Sequence, residues 1–260
     1  MPISLDAVGS VASLLVGTFV LRPYVVGFLA FFLVAGTRDL GAVRTAGLLL
    51  WGFLVALGAE LVSTRLGIPF GLYHYTGATA GAELFLSNVP FFSPLSFPFL
   101  AYAAFCLARR AIGRGWADSP AGRVRMVTLS GALMVLLDVV IDPAAVRGGR
   151  WFLGHLFFYP EGGAYFGVPL SNFGGWLLVG LITVGGYVWA TGGAGLGSPR
   201  LGIALYYMVV AISLTVTLWI GEVRLAAAGI LVQAAVLLLL YSVNRMTLGR
   251  WSAARASATP

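Results

Sequence analysis

The 260-residue chain is 59% hydrophobic and only 10% charged, with a mean hydropathy of +0.93. A soluble domain carries roughly a quarter charged residues, so this composition excludes one and indicates an integral membrane protein. All 16 basic residues are arginine, which leaves no lysine for a retinal Schiff base, and the +7 charge sits mainly in loops, a topology signal rather than a nucleic-acid surface.

In chain order, the stretch 7–21 is apolar but short, and Arg22-Pro23 separates it from the next apolar run; it reads as an eighth span or an interfacial helix. The N-terminal residues lack the basic region and small-residue cleavage site of a signal peptide and read as mature chain. Seven apolar runs near the length needed to span a bilayer come next, at roughly 23–37, 43–65, 94–109, 124–142, 172–190, 201–219 and 223–243. The expected fold is therefore all-α, a polytopic membrane helix bundle of seven to eight transmembrane helices. Three segments are predicted: an N-terminal apolar segment over 1–22, the bundle over 23–243 and a cytoplasmic basic tail over 244–260. Cys106 is the one cysteine and has no partner for an intramolecular disulfide.

Arginine placement orients the bundle. The loop 109–125 holds Arg109, Arg110, Arg114, Arg123 and Arg125, and setting it in the cytoplasm also places loops 38–44 and 191–200 and the tail there. Two long loops, about 66–93 and 143–171, then share the non-cytoplasmic side. Both are rich in glycine, proline and aromatics, and each follows a helix that carries an acid, as a helix-pair repeat would have it. Loops this apolar are expected to fold back over the bundle, with Asn88, Ser171 and Asn172 helping to satisfy their backbone.

The acids are the most informative residues. Asp138 and Asp142 lie one helical turn apart within an apolar run, and a carboxylate near the bilayer centre costs roughly 2.5–3.5 kcal/mol. Spacing of i,i+4 places both on one helix face, and two neighbouring carboxyls resist simultaneous ionisation, so one can keep a proton to donate. Pro143 disfavours helical geometry at Asp142 and predicts that the helix ends there. Glu60 falls at a similar depth in its own helix. The structural alternatives are pairing of Glu60 with Arg65, and of the aspartates with Arg147 or Arg150. His74 and His155 have no recognised metal-ligand spacing, so no metal is assigned, and hydrogen bonding at the interface or proton transfer beside the acids is the reading kept for them. Tyr73, Tyr75, Trp151, Tyr159, Tyr165 and Trp176 suit an interfacial belt or a pocket wall, and aromatic faces stabilise cations.

Glu60, Pro69-Phe-Gly-Leu-Tyr-His-Tyr75, Asp138-Val-Val-Ile-Asp-Pro-Ala-Ala145, Trp151 and Tyr165-Phe-Gly-Val-Pro-Leu-Ser-Asn-Phe-Gly-Gly-Trp176 together resemble the carotenoid-biosynthesis membrane proteins that include carotenoid 1,2-hydratases. The resemblance covers about residues 23–243. It departs at Ser87-Asn-Val-Pro90, where a second Gly-Val-Pro is expected. It implies a hydro-lyase of the cell membrane that adds water across the terminal 1,2 double bond of an acyclic carotenoid end group, without a cofactor; γ-carotene-like, lycopene-like and bisanhydrobacterioruberin-like molecules are the implied substrates. On this reading Asp138 or Asp142 protonates the alkene, and Glu60 or the other aspartate takes a proton from the attacking water, which His74 orients. Tyr73, Tyr75, Trp151, His155, Tyr165, Asn172 and Trp176 are then expected to contact the substrate. Two other classes fit the residues: a proton-coupled carrier of a lipophilic molecule, and a carotenoid-binding scaffold without chemistry.

Overall fold

The computed structural model describes the backbone of residues 5–193 and 197–256, and the side chains of 10–193 and 197–240. Among the described residues eight α-helices make up the bundle: α1 (Leu5–Leu21), α2 (Pro23–Leu40), α3 (Ala42–Leu66), α4 (Phe92–Ile112), α5 (Pro120–Ala145), α6 (Leu170–Thr191), α7 (Arg200–Trp219) and α8 (Val223–Ala256). Seven of them, α2 to α8, are long and apolar enough to cross a membrane, and the chain is a polytopic helical membrane protein. The helix α1 is apolar and shorter. Its C-terminal half packs on the first long loop, where the Leu84 N–H donates to Thr18 Oγ at 3.0 Å and a Cβ on Gly17 would collide with the Ala82 carbonyl.

Helix α4 is the central post. Over its most apolar window 78% of residues are buried, against 28% in α3 and in α8. Its run Ala101, Ala103, Ala104 and Ala108 is fully enclosed, and such small side chains let neighbouring helices approach closely. Gly202 of α7 makes the reciprocal concession, since a Cβ there would strike the Cys106 side chain.

Three boundaries differ from the sequence reading for local reasons. Helix α5 begins at 120 rather than 124 because Ser119 caps it, accepting the Gly122 N–H at 3.1 Å, and Pro120 occupies the first turn, where no N–H is required. It also continues through Pro143 to Ala145 instead of ending at Asp142. A proline so near the C-terminus removes one ladder bond, and the Val146 N–H still reaches the Asp142 carbonyl at 2.9 Å. Helix α8 runs on to Ala256, so the backbone of the expected tail is helical that far, while the side chains of Arg245, Arg250 and Arg255 and residues 257–260 lie outside the described residues.

The two long loops meet at one end of the bundle. Strands β1 (His74–Tyr75) and β4 (Phe157–Phe158) pair antiparallel, one from each loop, with His74 opposite Phe158 and Tyr75 opposite Phe157. A second ribbon, β2 (Phe85–Leu86) with β3 (Val89–Pro90), turns at Ser87, whose φ is +62°. Beneath them Arg22 forms a buried ion pair with Glu83, with Nη2 to Oε1 at 2.7 Å, and donates through Nη1 to the Leu153 carbonyl at 2.9 Å. One guanidinium thus ties the α1–α2 junction to both loops. At the opposite end Asp39 accepts from Arg109 at 2.6 Å, and Arg109 also donates to the Gly197 carbonyl at 2.9 Å, which fastens α2, α4 and the start of α7.

Arg147 and Arg150 do not pair with the aspartates. Both go to Glu222 in the turn between α7 and α8, Arg147 Nε at 2.9 Å. Partial burial opposes the charge of Glu222, yet hydrogen bonds and charge from the two arginines hold its carboxyl below the ordinary value of 4.5. A carboxyl depressed in the folded state stabilises the fold above its unfolded pKa, and that contribution is lost as pH falls through the folded value. Thermal stability in detergent is therefore expected to decline as pH drops below about 4.5, less steeply in Glu222→Gln; parallel acid limbs for the two proteins would contradict this.

Candidate active site

The acids are held in two hairpins. In the first, α3–loop–α4, Ser93 Oγ donates to Glu60 Oε1 at 2.8 Å, and the Tyr75 hydroxyl lies 2.8 Å from both Glu60 Oε2 and Ser93 Oγ. Arg65 is not the partner of Glu60; it turns away to the Leu61 carbonyl at 2.7 Å and to Ser87 Oγ at 3.0 Å. In the second hairpin, α5–loop–α6, the Asn172 amide nitrogen donates to Asp138 Oδ2 at 2.7 Å and to Asp142 Oδ2 at 2.9 Å. Trp176 Nε1 adds a third donor, 3.1 Å from the same Asp142 oxygen. Asn172 and Trp176 lie one turn apart in α6, which brings both onto one face towards α5.

These groups surround a cavity of about 170 Å³ that opens to the surface. Its polar lining includes Glu60, Ser93, Ser96, Asp142, Asn172, Trp176 and Ser213. Tyr73, Tyr75, Phe157 and Tyr159 from the β1·β4 ribbon, Trp151, and Phe97 of α4 supply aromatic walls. Phe97 stacks on Trp176 with centroids 4.5 Å apart, and Tyr73 is edge-on to Tyr75 at 5.5 Å. Burial raises the phenols of Tyr73, Tyr75 and Tyr159 well above their ordinary value, with the nearby Glu60 charge adding to the effect at Tyr75 and Tyr73. They are neutral hydroxyls at any working pH.

The site residues expected from sequence separate into two groups. Glu60, Asp142, Tyr73, Tyr75, Trp151, Asn172 and Trp176 line the cavity. Asp138 is fully buried behind it, joined to Asp142 through Asn172 and by the Asp142 N–H, which donates to Asp138 Oδ1 at 3.3 Å. His74, His155 and Tyr165 are not brought to the cavity. Side chains alternate along a strand, so a ribbon that turns Tyr73 and Tyr75 inwards turns His74 outwards. His74 and His155 are both exposed and flank Phe158 with centroids 6.0 and 6.1 Å away. Tyr165 packs on Phe173 at 5.4 Å, in the turn before α6. Among the described residues no group of three or more potential metal ligands is assembled. Ser93, Ser96 and Ser213 are polar lining residues that sequence reading missed; serines within apolar helices carry little signal by themselves.

Fold and cavity define a polytopic membrane protein whose acids sit inside an aromatic-walled, largely apolar chamber. The chain belongs to the carotenoid biosynthesis protein family, whose profile matches residues 9–242. It is similar to bisanhydrobacterioruberin hydratase of Haloarcula japonica, with 37% identity over 171 residues, 65% of this chain and 51% of that protein. It thus spans about half the length of the curated relative it matches. No solved structure matches the chain.

Proposed function

We propose that the protein is a carotenoid hydratase of the cell membrane, adding water to the terminal 1,2 double bond of an acyclic carotenoid end group to give a tertiary alcohol. The observation that carries this reading is the placement of two carboxyls from different hairpins, Asp142 and Glu60, on one aromatic-walled cavity. Asp142 is the general acid. Both N–H donors reach its Oδ2, which leaves Oδ1 to carry the transferable proton. That proton goes to C2 of the alkene, the π pair forms the new C–H bond, and a tertiary cation is left at C1. Tyr73, Tyr75, Trp151 and Trp176 face the cation with neutral π-systems, whose quadrupoles stabilise positive charge.

A water molecule then forms the C1–O bond and loses a proton to Glu60. Both oxygens of Glu60 stand beside hydroxyl groups, an arrangement suited to an accepting carboxylate. Return of one proton from Glu60 to Asp142 restores the site, and the net change is one added water. Asp138 positions Asp142 through Asn172 and through the Asp142 N–H rather than meeting the substrate. His74, His155 and Tyr165, expected from sequence at the substrate, have no part in this scheme.

Pigments from cells that make an acyclic carotenoid, with and without this protein, provide the test. Hydration adds about 18 mass units per reacted end, consistent with acid-catalysed addition of water. Unchanged mass across several acyclic end groups, with the protein present and folded, would return the choice to a carrier or a binding scaffold.

A further inference from the structure

The cavity reaches the surface sideways. Helices α2 and α7 are tied at the arginine-rich end, where the Gly197 N–H donates to the Asp39 carbonyl at 2.7 Å. Towards the long-loop end both helices contribute to the cavity wall, Tyr24 and Phe28 from α2, Ile212 and Ser213 from α7. Ile212 is 43% exposed and Phe152 is 55% exposed although both line the cavity, so the lumen meets the surface at these side chains. Ile212 lies seven residues before the end of α7, about 10 Å along the axis at 1.5 Å per residue, which is within the depth of a bilayer leaflet.

Above this opening the chain is closed. Tyr24, Trp151 and Phe152 meet as an aromatic cluster, with centroids 5.6 Å apart for Tyr24–Phe152 and 4.9 Å for Trp151–Phe152, and the β1·β4 ribbon covers the acids. The exposed residues at the mouth, Ile212 and Phe152, are apolar, Ser213 stands beside Ile212 and Phe28 is buried in the wall, while the carboxyls are contributed by α3 and α5. A ligand that fits this gradient has a reactive terminus and a long hydrocarbon tail. Size limits how much of it is enclosed: an apolar cavity of roughly 150 Å³ takes one benzene molecule. The lumen of about 170 Å³ therefore holds a terminal isoprene-sized segment and not a whole polyene.

We propose that the slot between α2 and α7, bounded by Phe28, Ile212, Ser213 and Phe152, admits the end of a polyene laterally from the lipid, and that the remainder of the chain stays in the bilayer during reaction. The identity of the ligand rests on the hydratase reading; the slot itself rests on the geometry. Two measurements test it. Ile212→Trp, which fills the mouth, is expected to slow hydration of lycopene by at least about tenfold, whereas Leu237→Trp on the exposed face of α8 leaves the rate unchanged. In a Cys106→Ala background, Ser213→Cys is labelled with N-ethylmaleimide in detergent, and saturating lycopene is expected to slow that labelling by about fivefold or more, as occupancy of a site excludes reagent. Full-rate hydration by Ile212→Trp, or Ser213→Cys labelling indifferent to lycopene, overturns the slot. If the native protein hydrates nothing, labelling alone decides: protection by lycopene keeps the slot and removes the hydratase reading, and absence of protection removes both.

Discussion

Asp142→Asn is expected to lower hydration by about 10²- to 10⁴-fold, the range that a positioned general acid contributes, while the protein stays folded. The substituted amide has nearly the same volume and can turn its oxygen to the Asn172 and Trp176 donors that now meet Asp142 Oδ2. It has no acidic proton to give the alkene. The measurement is the rate of hydrated-pigment formation by purified variant and native protein at matched amounts, with thermal unfolding recorded alongside. A variant that keeps more than about a tenth of the native rate would remove Asp142 from the role of acid, since that loss is below what general acid catalysis supplies. Asp138→Asn is expected to be milder, because Asp138 does not line the cavity and acts on it through the Asn172 amide and the Asp142 N–H, which donates to its Oδ1 at 3.3 Å.

The second large effect concerns stability. Arg22 and Glu83 are both almost fully enclosed, and removing one partner leaves an uncompensated charge in a low-dielectric place. Arg22→Met or Glu83→Leu alone is expected to destabilise the protein by about 3–5 kcal/mol, and the two together by much less, because a buried pair replaced by apolar groups of similar size is often close to neutral. Unfolding in detergent of the two single variants and the double variant forms a complete cycle. Singles within about 1 kcal/mol of the native protein would show that other contacts fasten the loops, as exposed ion pairs of such small worth do not. The cavity should deform with the singles, because Arg22 also lies over the ring of Phe92 at 4.5 Å and bonds to Leu153, and both residues line it.

Much of the fold was legible because spanning helices announce themselves by length and hydropathy, and α2 to α7 all begin and end within a few residues of the apolar runs. The acids were legible for the opposite reason, since a carboxyl in such a run is costly. What sequence could not provide was register between distant segments. The pairing of His74 with Phe158 across eighty-four positions decides that Tyr73 and Tyr75 point inwards and His74 outwards, and nothing local to either loop specifies it. The same holds for Arg22 with Glu83 and for Arg147 with Glu222, where any nearby acid is an equally good partner on paper. At Ser119-Pro120 the cap is a local signal in the sequence, and it lies four residues ahead of the apolar pattern of α5.

The partners of Glu60, Asp138 and Asp142 each belong to the same hairpin as the acid they meet. Glu60 is satisfied by Tyr75 and Ser93 within α3–loop–α4, and Asp138 and Asp142 by Asn172 and Trp176 within α5–loop–α6. During synthesis, each pair of helices can therefore move into the bilayer with its acid already hydrogen bonded, without waiting for the other half of the molecule to offset the cost of burying it. The reactive chamber, by contrast, needs both pairs. Order of insertion and completion of the cavity are thereby separated: the first hairpin carries the partners of its own acid and part of the lining, and the cavity is complete only when the second brings Asp142 and closes the ribbon across it.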